Sequence, residues 1–240
     1  MPTYSAKLKK REEVAEGTMA FHFERPAGFE FTAGKFISVT LIDPSETDAE
    51  GNKRAFSIAS APSEADVMVA TRMRDTAFKR VLKTMPLGTA VKIQGPFGTL
   101  TLHTDAARPA VFLAGGIGIT PFRSILLHST EQRLPHRLFL FYSNRRPEDA
   151  AFLDELEKLG RANPNCTFIG TMTEMAKSHQ QWHGEEGYIT KEMLAKFIND
   201  LTKPIHYIAG PPAMVDALQK VLNDAGVDRN NIRAEEFAGY

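Results

Sequence analysis

The spacing of hydrophobic and polar positions changes once along this chain. From Thr18 to about Leu102, apolar residues come in short runs broken at Pro26, Gly28, Gly34, Pro44, Gly51 and Gly88. Several runs alternate: Phe36, Ser38 and Thr40 fall on one side and Ile37, Val39 and Leu41 on the other, and residues 67–73 and 90–95 behave alike. A period of two belongs to strands, and many short strands with few helices predict a small antiparallel barrel or sandwich. After Asp105 the apolar runs are longer and are separated by amphipathic stretches beginning at Pro121, Pro147, Thr190 and Pro211, with a closing strand near 232–237. Strand and helix in regular alternation predict a doubly wound parallel sheet. Two domains follow, 1–104 and 105–240. Thr120 followed by Pro121 has the form of an N-cap with proline at the first helical position.

Composition narrows the function classes. With 240 residues and 42% hydrophobic positions the chain can fill a core in each half. Its 29 basic residues equal its 29 acidic ones, which removes the global field that draws proteins to nucleic acid or anionic membrane. The single cysteine, Cys166, allows neither an internal disulfide nor a Cys-ligated iron-sulfur cluster, and its place at the start of an apolar strand reads as a small buried hydrophobe. No window reaches the length of a membrane span, and the N-terminal basic residues are not followed by an apolar stretch, so the expected compartment is the cytoplasm. The cluster Lys7, Lys9, Lys10 and Arg11 reads as a solvated strand edge, and His179 and His183 as surface histidines.

Two segments carry candidate chemistry. Gly115-Gly116-Ile117-Gly118-Ile119-Thr120-Pro121 follows an apolar strand and opens a helix, so its backbone N–H groups can approach a pyrophosphate at the positive end of the helix dipole. Tight packing alone would also call for those glycines. Arg54-Ala55-Phe56-Ser57 offers a cation for a phosphate, a ring for a flat cofactor and a hydroxyl for a heteroatom, with Arg54 and Phe56 on one strand face and Ser57 on the other.

Taken together and in this order, the motifs resemble the ferredoxin-NADP reductase superfamily over nearly the whole chain. Arg54 to Ser57 matches its Arg-x-Tyr/Phe-Ser motif, Gly95 to Gly98 the end of its barrel, Gly115 to Pro121 its pyrophosphate loop, and Gly210-Pro211-Pro212-Ala213-Met214 its late nicotinamide-side turn. The resemblance implies an FAD-binding antiparallel barrel before an NAD(P)-binding parallel domain. It implies a hydride passing between nicotinamide and flavin N5, and single electrons passing to or from a carrier such as ferredoxin or flavodoxin. An oxygenase, ferric or quinone reductase component and a partner-dependent electron-transfer subunit are the alternatives.

Roles follow residue by residue. Arg54 would hold an FAD phosphate, Ala55 and Phe56 would lie along the flavin, Ser57 would face N5, and Thr120 would sit between flavin and nicotinamide. Gly115, Gly116, Gly118 and Ile119 would cradle the dinucleotide, and Gly210, Pro211, Pro212 and Met214 would border the nicotinamide. The second flavin-phosphate motif falls at Asp75 to Arg80, where Thr76 and the N–H groups of Ala77 and Phe78 would meet the diphosphate beside Arg72; its usual glycine is missing. Lys35 replaces a frequent Gln, and Ala209 a frequent Cys. At the C-terminus Phe237 or Tyr240, with Tyr240 slightly favoured, would stack on the flavin, and Glu236, or Glu235 beside it, would lie near the reacting carbon. Ser143, Arg145 and Arg146, with no acid before Pro147, favour a ribose 2'-phosphate, hence NADP with NAD as the alternative.

Overall fold

A computed structural model describes residues 2–237. The first half contains β1 (Thr3–Ala15), β2 (Thr18–Glu24), β3 (Phe36–Leu41), β4 (Lys53–Ser57), β5 (Asp66–Arg72), α1 (Ala77–Thr84) and β6 (Ala90–Phe97). These strands form an antiparallel sheet in the order β4-β3-β6-β1-β2-β5. It curls so that its edges meet, the Ala59 amide just beyond β4 donating to the Met68 carbonyl of β5 at 2.8 Å. Ile37, Val39, Phe21, Phe23, Val67 and Val69 point inward, and α1 covers one mouth with Phe78 and Leu82. The period-two reading holds for β3 and β6, whose residues alternate buried and half-exposed or exposed.

The second half runs β7 (Ala110–Gly115), α2 (Ile119–Glu131), β8 (Leu138–Asn144), α3 (Leu153–Ala162), β9 (Cys166–Met172), β10 (Glu185–Glu186), α4 (Lys191–Phe197), β11 (Ile205–Gly210), α5 (Pro212–Asp224) and β12 (Ile232–Glu236). All of its strand pairs are parallel, in the order β10-β9-β8-β7-β11-β12. α2 and α3 pack on one face, around Phe112, Leu140 and Tyr142; α4 and α5 pack on the other, around Val111, Phe141 and Ile208. The fold class expected from the sequence is the one observed.

Four local expectations are corrected. β5 is buried on both faces, because Met68 and Ala70 turn outward into the same apolar cluster as Phe122 and Ile125 of α2. β1 is internal, pairing with both β2 and β6, so its lysines lie on an exposed sheet face and not on an edge. Pro147 opens a single 3-10 turn, and α3 begins only at Leu153, after Phe152 takes a left-handed φ of 61°. A 3-10 turn at Gly116–Gly118 runs straight into α2, so the residue before the helix, Gly118, already has helical angles and Thr120 is not a cap.

The halves share a wide contact. Arg123, 6% exposed, donates to the Ala59 carbonyl at 2.7 Å and pairs with Glu64 at 2.9 Å and Glu155 at 2.7 Å. Ser124 donates to the Ser60 carbonyl, and the β1–β2 hairpin tip reaches the second half through Glu16 and Arg146.

Candidate active site

β7 has β8 on one side and β11 on the other, so the crossovers leave it in opposite directions and a crevice opens at the C-terminal ends of these strands, where α/β sheets bind dinucleotides. Ser143 pairs with Gly115 across β8 and β7, and Gly210 pairs with Glu236 across β11 and β12, so the predicted loop and turn residues share one rim. Three of the glycines there serve close packing. A Cβ on Gly115 would strike the Met214 sulfur, one on Gly118 would strike the Ala209 carbonyl, and one on Gly210 would lie 3.2 Å from the Gly115 Cα. Gly116 differs: its φ is 53°, and nothing lies within 4 Å of the place its Cβ would take. That open, left-handed position leaves room for a ligand to approach the backbone. Ile119 is in the core, and the buried Thr120 donates its hydroxyl to the Ile117 carbonyl at 3.0 Å. Pro211 is exposed at the mouth of the turn, and Pro212 begins α5.

A cavity of about 220 Å³ lies where the end of β4 meets the end of β12, lined by Phe36, Ala55, Phe56, Ser57, Glu235, Glu236 and Phe237. The Ser57 Oγ is buried and has no hydrogen-bond partner among the described residues. An unpaired buried hydroxyl costs about 1–3 kcal/mol, and a polar ligand atom entering the cavity would satisfy it. Of the two carboxylates, Glu236 is exposed and Glu235 is half-buried, and burial raises the pKa of Glu235. Phe56 lines the cavity from the barrel side: it is 4% exposed, belongs to the barrel core and lies 5.8 Å from the Phe78 ring. Phe237 is held by its amide on the Gly210 carbonyl at 2.9 Å and packs partly buried against the core of the second half. Tyr240 lies outside the described residues.

The other end of β4 carries a cation cluster. Arg54 lies over the Phe78 ring at 5.2 Å. Thr76 caps α1, accepting from the Lys79 amide, and the Ala77 amide at the helix start donates to Asp48 at 3.2 Å. The same Asp48 carboxylate accepts from Arg54 at 2.9 Å. Burial, with Arg74 and Arg54 nearby, pushes the Lys79 ammonium down to about 8 while it donates to the Arg72 carbonyl. An anion therefore already bridges Arg54 and the start of α1, and the surrounding cations favour more negative charge. The residues fit a flavin diphosphate here and a flavin ring at Ser57.

On the rim, Arg145 is 68% exposed and only 3.9 Å from one oxygen of Glu174, leaving its guanidinium open to solvent. Arg146 is taken up by Asp149 at 3.0 Å and Glu16 at 2.9 Å, which makes it a clamp between the halves. The side chain of Asn144 is buried without a hydrogen-bond partner among the described residues.

Comparison with known proteins agrees with this geometry. Residues 5–102 match the oxidoreductase FAD-binding domain and residues 112–220 the oxidoreductase NAD-binding domain. The chain is 29% identical to ferredoxin-NADP reductase B of Sorangium cellulosum, over 98% of this chain and 97% of that one. The chain belongs to the ferredoxin-NADP reductase superfamily. As a member it is an oxidoreductase of FAD and NAD(P), the cofactors expected from its motifs. It is also 27% identical to the propane 2-monooxygenase reductase component of Rhodococcus jostii, but spans only 57% of that protein's length. A ferredoxin NADP+ reductase from Neisseria gonorrhoeae has the same fold, with a TM-score of 0.80 at 23% identity over 98% of this chain and 99% of that one. No helix among the described residues is long and apolar enough to cross a membrane.

Sequence reasoning missed Asp48, Lys79 and Arg74. Lys79 could have been found as the residue three after the Thr76 cap, one turn into the helix. Asp48 has no local signal, since it reaches the helix from a loop 29 residues away.

Proposed function

We propose that this chain passes a hydride from NADPH to FAD and single electrons from the flavin to a carrier protein such as ferredoxin or flavodoxin, in the cytoplasm where NADPH is abundant. The observation that carries the reading is the buried, unpartnered Ser57 hydroxyl of the first half facing Glu235 of the second across one cavity. FAD, when bound, supplies the exchange between two-electron and one-electron chemistry. Ser57 would hydrogen-bond the flavin edge where hydride arrives, and Glu235, whose pKa burial raises, would sit beside it as a proton carrier. Thr120, fixed by its bond to the Ile117 carbonyl, would set the floor on which the nicotinamide lies. Arg54, Thr76 and the start of α1 would hold the diphosphate, with residues 1–104 as the flavin domain and 105–240 as the dinucleotide domain.

For the dinucleotide, Ser143 and Arg145 remain as the 2'-phosphate pair. Arg145 keeps an open guanidinium, whereas Arg146 is committed to Asp149 and Glu16. A second reading, the reductase component of an oxygenase, is favoured by the relatives that carry that description, the Rhodococcus protein among them. An anaerobic absorbance titration of the FAD-reconstituted protein tests the proposal. The flavin band is expected to bleach with NADPH at lower concentration than with NADH, and Arg145→Ala to remove that difference. Equal bleaching by both would overturn the 2'-phosphate assignment, and no bleaching by either would overturn the hydride route. Acceptor assays with ferredoxin, flavodoxin and oxygenase components then separate the two readings.

A further inference from the structure

We propose that Asp48 is an internal competitor for the FAD diphosphate, and that its carboxylate sets how tightly and how fast this chain takes up its cofactor. The inference rests on reading Arg54 and the start of α1 as the diphosphate subsite. One carboxylate joins both: Asp48 Oδ1 accepts from Arg54 at 2.9 Å and Oδ2 accepts from the Ala77 amide at 3.2 Å. Burial by itself would raise the pKa of Asp48; the Arg54 hydrogen bond and the Glu50 and Ala77 amides outweigh it and hold the carboxyl below the usual range, so it is an anion at neutral pH. Glu50 adds a second carboxylate, 3.1 Å from Arg54 Nε.

The loop that carries Asp48 is fastened for this purpose. Glu46, two residues earlier, accepts from Arg80 Nε and Nη2 at 2.9 and 2.6 Å, tying the loop to the outer side of α1. Arg54 is heavily engaged, its Nη1 lying 2.9 to 3.0 Å from the carbonyls of Glu50, Gly51 and Lys53. A diphosphate on Arg54 and the α1 amides must therefore displace Asp48 from both, because two anions on the same donors repel each other. The cations that remain, Lys79 among them, gain from the exchange, since a diphosphate supplies more negative charge than the carboxylate it removes. Occupation of the subsite by a diphosphate thus exchanges one anion for another on the same donors.

Asn at position 48 keeps the shape and removes the charge. Equilibrium and stopped-flow titrations of full-length apoprotein with FAD, followed by flavin fluorescence, are made on the unaltered chain, Asp48→Asn, Asp48→Ser and Arg54→Gln. Removing the like charge is expected to tighten FAD binding about tenfold and to speed its association, in both Asp48 variants. Unchanged or weaker FAD binding in a folded Asp48 variant, with Arg54→Gln weakened, overturns the competitor role and leaves the diphosphate assignment standing. If Arg54→Gln binds FAD as the unaltered chain does, the diphosphate assignment itself falls, and the inference with it.

Discussion

Ser57 and Glu235 carry most of the argument at the level of single residues, and they differ in how they could be found. Ser57 was legible because its neighbours Arg54 and Phe56 form a recognisable local string. Glu235 was not separable from Glu236 by sequence, because only the packing of β12 decides which carboxylate is desolvated. A carboxyl with a raised pKa stays protonated to higher pH and loses its proton as pH rises through that value. Glu235→Gln is therefore expected to slow flavin reduction by NADPH about tenfold to a hundredfold and to remove the decline that accompanies loss of the Glu235 proton as pH rises, read by anaerobic stopped flow. The same change at Glu236 should have a much smaller effect.

Among elements, most helices and strands of the second half were set by their own apolar periodicity: β7, β8, β9, β11 and β12 with α2, α4 and α5 follow it, whereas α3 begins at Leu153 and not at Pro147, and the short β10 carries no apolar signal. What periodicity could not supply was the way elements touch. β5 alternates in sequence yet is buried on both faces because α2 covers it. The glycine loop is both a packing device and an open backbone, and the division between those uses appears only in three dimensions: Gly118 abuts the Ala209 carbonyl, whereas Gly116 has free space. Gly118→Ala must push α2 away from β11, and a cost on the order of 1–3 kcal/mol is expected in urea unfolding, together with weakened dinucleotide binding. A change of unfolding free energy near zero would show that the loop yields without cost.

For the whole molecule, buried histidines couple stability to acid. His206 in β11 is fully buried, with Nε2 against the Leu201 carbonyl at 2.8 Å, and burial pushes it down to about 4. His103, in the connection between the halves, is also lowered, mainly by burial; it meets the Tyr207 hydroxyl at 2.9 Å, beside His136 and Arg233. A histidine lowered on folding gives stability that is complete above its ordinary value near 6.5 and is lost as pH falls toward the folded value. His206 alone accounts for on the order of 3 kcal/mol between those limits. Denaturation midpoints are expected to fall between pH 6.5 and 4, and His206→Gln to flatten that slope; an unchanged slope would remove His206 as its source. The sequence by itself determined the two grammars of this chain, the order of its motifs and hence its family and cofactor classes, because strand and helix periodicity and short phosphate-binding strings are local properties. Tertiary structure alone decided that Arg146 clamps the halves, that Glu235 is the desolvated acid, and that Asp48 joins Arg54 to the start of α1. Each of these depends on which distant segment reaches a charge first, and on how much water is left around it.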